Sequence, residues 1–138
     1  MFGIAAIVVT YNRKELLTKC LQSLLRQSAP LERIYVIDNA STDGTPESIP
    51  SDSKITYLRL EKNLGGSYGF SFGIGKALED HHRSLWIMDD DCFPESDALE
   101  ELLKHEGECD SLCSAVVARD GRYDLNHRRK FDFTTLKD

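Results

Sequence analysis

Short runs of apolar and β-branched residues alternate along this chain with segments of helical periodicity. Such runs predict buried strands, here at residues 4–9, 33–38, 55–60 and 84–88, with a fifth at residues 112–118. Strands that alternate with helices form βαβ units, whose parallel strands are joined by right-handed crossovers. The sequence therefore predicts an α/β fold with a mostly parallel open sheet and flanking helices.

The predicted helices are residues 13–27, 65–81 and 96–105, with a short one that begins near Pro46. At the start of the first helix, Asn12 is the expected N-cap and Glu15 completes a capping box. In the helix at residues 65–81, one apolar stripe is expected to face inward. Its members are Phe70, Ile74, Ala77 and Leu78.

Composition narrows the classes of protein to consider. The 138 residues are 41% hydrophobic and 29% charged, which is typical of one globular domain. The formal charge of −6 disfavours a nucleic-acid partner. No apolar run approaches the roughly 20 residues that span a bilayer. We expect a domain at residues 1–118, followed by an irregular, charged tail at residues 119–138.

The chain has four cysteines, and none of them form a C-x-x-C pair. Because Cys109 and Cys113 have no second pair at metal-site spacing, we interpret the cysteines as buried or half-buried free thiols. Free thiols favour a reducing, cytoplasmic location. A longer protein that contains this chain could also be associated with a membrane.

Polar or glycine-rich segments follow each of the first four predicted strands. In an open α/β sheet, ligands bind outside the carboxyl ends of the strands, so these segments are the candidate binding residues. They are Thr10, Tyr11 and Asn12 after the first strand, Asp38 at the end of the second, Asn63, Gly65 and Gly66 after the third, and Asp89, Asp90 and Asp91 after the fourth.

Three consecutive aspartates at a strand end suggest a cation site. If the chain stays extended, Asp89 and Asp91 point to the same side and Asp90 to the other. Two carboxylates directed at one point suit a hard divalent ion, Mg²⁺ or Mn²⁺, whose open positions phosphate oxygens can fill. The alternative is a solvated acidic loop that caps the next helix.

Asp38 and the glycines each allow two interpretations. The Asp38 carboxylate could accept a hydrogen bond from a ligand base or ribose, or it could cap the turn that follows. Gly65 and Gly66 leave backbone N–H groups available to an anion at a helix start. Gly69 and Gly73 are explained as well by close packing of the helix as by function.

Four motifs in order, "VVTYNR", "VIDNASTDGT", "NLGGSYGF" and "WIMDDDC", resemble the nucleotide-binding half of the family 2 glycosyltransferases. The resemblance covers about residues 4–117 and implies the Rossmann-like GT-A fold. The combination of "NLGG" with "DDD" is most similar to the branch that includes rhamnosyl- and galactofuranosyltransferases.

The resemblance implies a role for each matching position. Thr10, Tyr11 and Asp38 would hold the nucleoside of a UDP- or dTDP-sugar. Asp89 and Asp91 would form the metal-binding DXD motif, with Asp89 also near the ribose. The remaining donor-binding positions would be Asn12, Asn63, Gly65, Gly66 and Asp90. The implied reaction is metal-dependent transfer, with inversion, to a glycan or lipid-linked acceptor.

Members of this family are usually longer, and only 47 residues follow Asp91 here. We therefore leave the catalytic base unassigned and expect it, with an acceptor-binding region, beyond Asp138. Two alternatives remain open at this point. One is a magnesium-dependent phosphoryl-transfer domain, such as a phosphatase, and the other is a non-catalytic module that binds a nucleotide sugar or carbohydrate.

Overall fold

Four parallel strands form one sheet in the order β3-β2-β1-β4. The structure is a computed structural model that describes residues 3–108, 110–118 and 120–124. The strands are β1 (Ile4–Thr10), β2 (Leu31–Asp38), β3 (Ile55–Arg59) and β4 (Ser84–Asp89). The prediction of a parallel open sheet with flanking helices is confirmed.

The helices are α1 (Lys14–Leu25), α2 (Thr45–Ser48), α3 (Gly66–Glu79) and α4 (Ala98–Leu103). The helix predicted at residues 96–105 is thus only six residues long. Within the described residues, none of the helices is both long enough and apolar enough to cross a membrane.

The predicted fifth strand is wrong. Residues 112–118 form no strand, and within the described part of the chain their one ladder contact is an isolated antiparallel bridge between Val117 and Tyr123. Val116 and Val117 are about half exposed. An apolar run becomes a strand only where a second strand pairs with it, and the bridge is too short for that.

The chain divides into two compact units, Met1–Glu101 and Leu102–Asp138. The first contains the whole sheet. In the described part of the second, backbone hydrogen bonds from Ala118 to Arg122 and from Asp124 to Val116 close a small turn.

The central strand β1 is buried on both faces, because every residue from Ala5 to Thr10 is shielded from solvent, and residues 34–38 of β2 are shielded likewise. Helix α3 approaches one face closely through Gly69, Gly73 and Ala77, which are spaced one turn apart and buried. A Cβ at Gly73 would lie 2.6 Å from Ile7 Cγ2. Leu78, predicted to face inward, is 54% exposed, since it lies about 100° around the helix from Ala77.

The predicted capping box at the start of α1 is also wrong. The helix begins at Lys14, and Arg13 at the N-cap position makes no side-chain capping bond. Asn12 has a φ of 53°, and its Oδ1 accepts a hydrogen bond from Thr42 N instead. Asp43 caps α1 from a distance, because its Oδ2 accepts from Lys14 N at 3.0 Å.

Candidate functional site

The strand register brings the predicted polar residues to one edge of the sheet. Thr10 at the end of β1 is opposite Asp38 at the end of β2, and Val9 is opposite Asp89 at the end of β4. The Thr10 hydroxyl donates to Asp90 Oδ2 at 2.7 Å, and both residues are buried. The ends of β1 and β4 are therefore joined by a side-chain hydrogen bond.

Asp89, Asp90 and Asp91 form a tight turn, here named the acidic turn. Cys92 N donates to Asp89 O at 3.2 Å, so the chain reverses and does not continue as an extended strand. Asp90 is 3% exposed, whereas Asp89 and Asp91 are exposed to solvent. The outer two carboxylates are thus presented to solvent while the middle one supports the turn.

Arg13 lies against the acidic turn and is not among the site residues predicted from the sequence. Its Nη1 lies 3.3 Å from Asp90 Oδ1 and 3.2 Å from Asp91 Oδ2. The available signal was its place in "VVTYNR", directly after the polar end of the first strand. The guanidinium supplies positive charge where three carboxylates would otherwise repel one another.

Burial is the largest influence on the pKa of Asp90 and on the pKa of Cys20. It raises the pKa of Asp90, although the hydrogen bond from Thr10 and the charge of Arg13 oppose the shift. Burial, then the neighbouring Cys92 thiol and the Asp90 carboxylate, raises the pKa of Cys20 to about 12. The Cys20 thiol is therefore protonated at neutral pH and is not a nucleophile.

Cys20, Cys92 and Cys113 are free thiols, as predicted, and Cys109 lies outside the described residues. The predicted burial holds for Cys20 but is wrong for Cys92 and Cys113, which are exposed because they lie in loop segments and not in a strand or helix of the core.

Asp38 is fully buried and hydrogen-bonded within the protein. Its Oδ1 accepts from Ser41 N at 2.8 Å and Ser41 Oγ at 2.5 Å, and Tyr57 donates its hydroxyl to Oδ2. Arg59 Nε lies 3.9 Å from the same oxygen. Asp38 therefore caps its own turn, and its contact with a ligand stays a prediction that requires the Tyr57 hydroxyl to move.

Tyr11 and Asn12 extend the site beyond β1. Tyr11 is 45% exposed, so its ring is accessible to a ligand. Asn12 connects this segment to the loop after β2, since its N–H donates to Ser41 Oγ at 2.9 Å and its Oδ1 accepts from Thr42 N at 2.7 Å. These hydrogen bonds hold the segment after β1 and the loop after β2 together at the edge of the site.

Asn63, Gly65 and Gly66 surround the start of α3. Asn63 Oδ1 accepts from Gly65 N at 2.8 Å, and Gly65 has a φ of 84°, a conformation that favours glycine. A Cβ at Gly65 or Gly66 would meet nothing within 4 Å, so the backbone here is open. Asn39 Nδ2 donates to Gly65 O at 3.5 Å, which ties this segment to the end of β2.

A cavity of about 230 Å³ adjoins this segment. Its lining residues are Arg59, Leu60, Glu61, Lys62, Leu64 and Tyr68. It combines two cationic side chains with an exposed aromatic ring at the carboxyl end of β3.

The residues present fit a divalent cation only in part. Among the described residues, no cluster of three or more His, Cys, Asp or Glu side chains is arranged to hold a metal ion. Asp89 and Asp91 offer exposed carboxylate oxygens, the ligands that Mg²⁺ and Mn²⁺ prefer. The Arg13 guanidinium already marks the turn as a position that attracts positive charge. Such an ion would take its other ligands from water or from a bound diphosphate.

Comparison with known proteins places the chain in a family. The sequence model of the protein family described as glycosyl transferase family 2 matches residues 5–137. The chain is also 34% identical over 96 residues to the galactofuranosyltransferase GlfT1 of Mycolicibacterium smegmatis, covering 66% of this chain and 30% of that protein. The similarity to a galactofuranosyltransferase agrees with the branch that the motifs indicated.

Solved structures have the same fold. Mannosyltransferase PcManGT from Pyrobaculum calidifontis, in complex with GDP-Man and Mn²⁺, matches with a TM-score of 0.62 and 28% identity over 75% of this chain and 32% of that chain. S. aureus TarS 1-349 in complex with UDP-GlcNAc matches with a TM-score of 0.64 and 25% identity over 77% of this chain and 31% of that chain.

The chain spans about a third of the length of the relatives that it matches. Its sheet and flanking helices are those of the GT-A glycosyltransferases. Because the family model extends over nearly all of its residues, the chain belongs to glycosyl transferase family 2.

Proposed function

We propose that this chain is the nucleotide-sugar-binding part of an inverting glycosyltransferase. The donor would be a UDP- or dTDP-sugar, and the acceptor a glycan or a lipid-linked glycan. The observation that carries the proposal is the acidic turn, which presents Asp89 and Asp91 at the same sheet edge as Thr10. Metal dependence and a cytoplasmic location belong to the same proposal.

The donor would lie across the carboxyl ends of the strands. Tyr11 has the exposed aromatic ring that a nucleobase can stack on. Gly65 and Gly66 have no side chains, and the first N–H groups of α3 have no partner within the helix, so a diphosphate oxygen can approach them. Asn12 and Asn63 would order the loops around the donor through the hydrogen bonds described above.

Asp89 and Asp91 are the residues that would hold Mn²⁺ or Mg²⁺. When bound, such an ion offsets the negative charge that develops on a leaving diphosphate. Asp90 would serve a different role, since its carboxylate is buried against Thr10 and Arg13 and positions the turn.

The catalytic base stays unassigned, and its expected position beyond Asp138 remains a prediction. Inverting transfer needs a base within hydrogen-bond reach of the acceptor hydroxyl. Asp38 and Asp90 do not suit this task, because both are buried and hydrogen-bonded to protein groups. Family membership favours glycosyl transfer over the phosphatase alternative. Hydrolysis of a simple phosphomonoester by this chain would support the phosphatase alternative instead.

Isothermal titration calorimetry tests the proposal with UDP, dTDP, CDP and GDP, each with Mn²⁺ and with EDTA. We expect UDP or dTDP to bind best and to need Mn²⁺. Asp91→Asn should weaken binding by at least about tenfold, because a bound ion loses one of two carboxylate ligands. Asp97→Asn makes the same charge change on an exposed residue outside the acidic turn and should bind like the unaltered chain. Equal affinity with Mn²⁺ and with EDTA would contradict the proposal.

A further inference from the structure

One nitrogen of Arg13 contacts two consecutive aspartates of the acidic turn. Nη1 is 3.3 Å from Asp90 Oδ1 and 3.2 Å from Asp91 Oδ2, so the guanidinium occupies the region between the two carboxylates. That region is also where a cation held by Asp91 would place its positive charge. The arginine and a divalent ion would therefore compete for the same oxygen.

The two contacts of Arg13 differ in exposure. The Asp90 side chain is 4% exposed, whereas those of Asp91 and Arg13 are 51% and 52% exposed. An exposed ion pair is weak and is screened by salt. A buried carboxylate, by contrast, depends on its partners, since removing one leaves a charge uncompensated. The Arg13–Asp91 contact is thus the one that is easily exchanged.

We propose that Arg13 acts as the resident counter-cation of the acidic turn, and that a divalent ion displaces its guanidinium from Asp91 while Arg13 stays on Asp90. Arg13 is then a positioning residue that sets the metal affinity of the turn. This inference rests on the proposed function, because it takes the Asp91 carboxylate as a metal ligand.

Electrostatics gives the sign of the effect. A divalent ion on Asp91 lies close to the guanidinium and is repelled by it, even after the two groups separate. Removing the charge of Arg13 removes both the repulsion and the competition. If Arg13 instead served to organise the turn for the ion, its removal would weaken metal binding, so the two roles predict opposite results.

The experiment measures binding of Mn²⁺ to the 138-residue chain without nucleotide, by the electron paramagnetic resonance signal of free Mn²⁺. Arg13→Gln should bind Mn²⁺ about threefold to tenfold more tightly than the unaltered chain. Arg26→Gln is the matched control, since it removes one charge from an exposed arginine at the other end of α1 and should leave the affinity unchanged. Adding Asp91→Asn to Arg13→Gln should abolish the increase in Mn²⁺ affinity.

A second measurement uses the unaltered chain and does not depend on how the variant folds. In a ¹⁵N-labelled sample titrated with diamagnetic Mg²⁺, the Arg13 side-chain N–H resonance should shift with saturation, and the Arg26 resonance should not. Unchanged or weaker Mn²⁺ binding in folded Arg13→Gln, absence of Mn²⁺ binding in every variant, or a stationary Arg13 resonance would each overturn the inference.

Nucleotide binding separates this inference from the proposed function. If Arg13→Gln leaves Mn²⁺ affinity unchanged while UDP still binds in a Mn²⁺-dependent manner, the inference fails and the proposed function stands. If Arg13→Gln tightens Mn²⁺ binding but no nucleotide binds, the role of Arg13 stands and the proposed function fails.

Discussion

The Thr10 hydroxyl donates a hydrogen bond of 2.7 Å to Asp90 Oδ2 across a separation of 80 residues. Thr10 ends β1 and Asp90 follows β4, so this bond fixes the acidic turn to the neighbouring strand. Both residues are buried, and burial makes the loss of either partner costly. The bond therefore holds Asp90, the middle residue of the acidic turn, against the end of β1.

Replacing Thr10 tests how much this hydrogen bond contributes to stability. Thr10→Val keeps the shape of the side chain but removes the donor, which leaves the buried Asp90 carboxylate short of one partner. We expect the free energy of unfolding to fall by about 1–3 kcal/mol, measured by urea denaturation. Thr10→Ser retains the hydroxyl and should lose less than Thr10→Val. Equal losses in the two variants would show that packing, and not the hydrogen bond, is responsible.

Tyr57 is predicted to compete with a nucleobase for Asp38. The Tyr57 hydroxyl donates to Asp38 Oδ2, so this oxygen is engaged, and an N3–H of uracil that used it would have to displace the hydroxyl. Tyr57→Phe should therefore tighten binding of UDP severalfold and leave CDP, which has an acceptor at N3, unchanged. Calorimetry with both nucleotides measures the difference.

Tyr123→Phe is the control for Tyr57→Phe, because Tyr123 is 70% exposed and is not among the predicted donor-binding residues. If UDP and CDP bind alike in the unaltered chain and in Tyr57→Phe, then Asp38 does not read the base.

Alanine substitutions at two glycines of α3 distinguish the effect of packing on stability from the effect of helix propensity. A Cβ at Gly73 would lie 2.6 Å from Ile7 Cγ2 and 3.0 Å from Ile37 Cγ1, whereas a Cβ at Gly75 would meet nothing within 4 Å. We expect Gly73→Ala to lower the free energy of unfolding by about 1–3 kcal/mol through overpacking. Gly75→Ala should raise it by about 0.5–1 kcal/mol. Thermal unfolding of both variants measures this contrast, and equal stabilities would contradict the close approach of α3 to the sheet.

Asp43 links α1 to the loop before α2, and its effect should depend on pH. Hydrogen bonds, first from the Thr45 hydroxyl and then from Lys14 N, hold the pKa of Asp43 below its ordinary value. Because the folded-state pKa is depressed, this stabilisation is present above the ordinary pKa and is lost as pH falls through the folded value.

Asp43→Ala should therefore lower the free energy of unfolding by about 1 kcal/mol at neutral pH, as loss of a helix cap does. The difference from the unaltered chain should shrink below about pH 4, near the ordinary carboxyl pKa. Asp43→Asn keeps the acceptor oxygen and should lose stability less, with a weaker pH dependence. Denaturation at a series of pH values measures the stability of the unaltered chain, Asp43→Ala and Asp43→Asn. A loss of stability in Asp43→Ala that does not change with pH would contradict the capping role.

The sequence pattern predicted the structure correctly where local pattern decides the outcome. The four strands, their parallel arrangement and the convergence of Thr10, Asp38 and the acidic turn at one edge followed from periodicity and from the rule for strand ends. The pattern did not predict the exposure of Leu78, the cap of α1 or the absence of a strand at residues 112–118. At each of these positions, the outcome depends on a neighbour that is distant in sequence or on the exact rotation of a helix.

The sequence by itself determined the order of elements and the chemical groups delivered to the edge of the sheet, because side-chain period and strand-end polarity are local properties. Only the tertiary structure decided which of those groups are available. It buried Asp90 against Thr10, enclosed Asp38 between Ser41 and Tyr57, and set Arg13 against the acidic turn. The physical reason is that a carboxylate interacts with the groups that are near it in space. Most of the partners named here lie between 19 and 80 residues away along the chain.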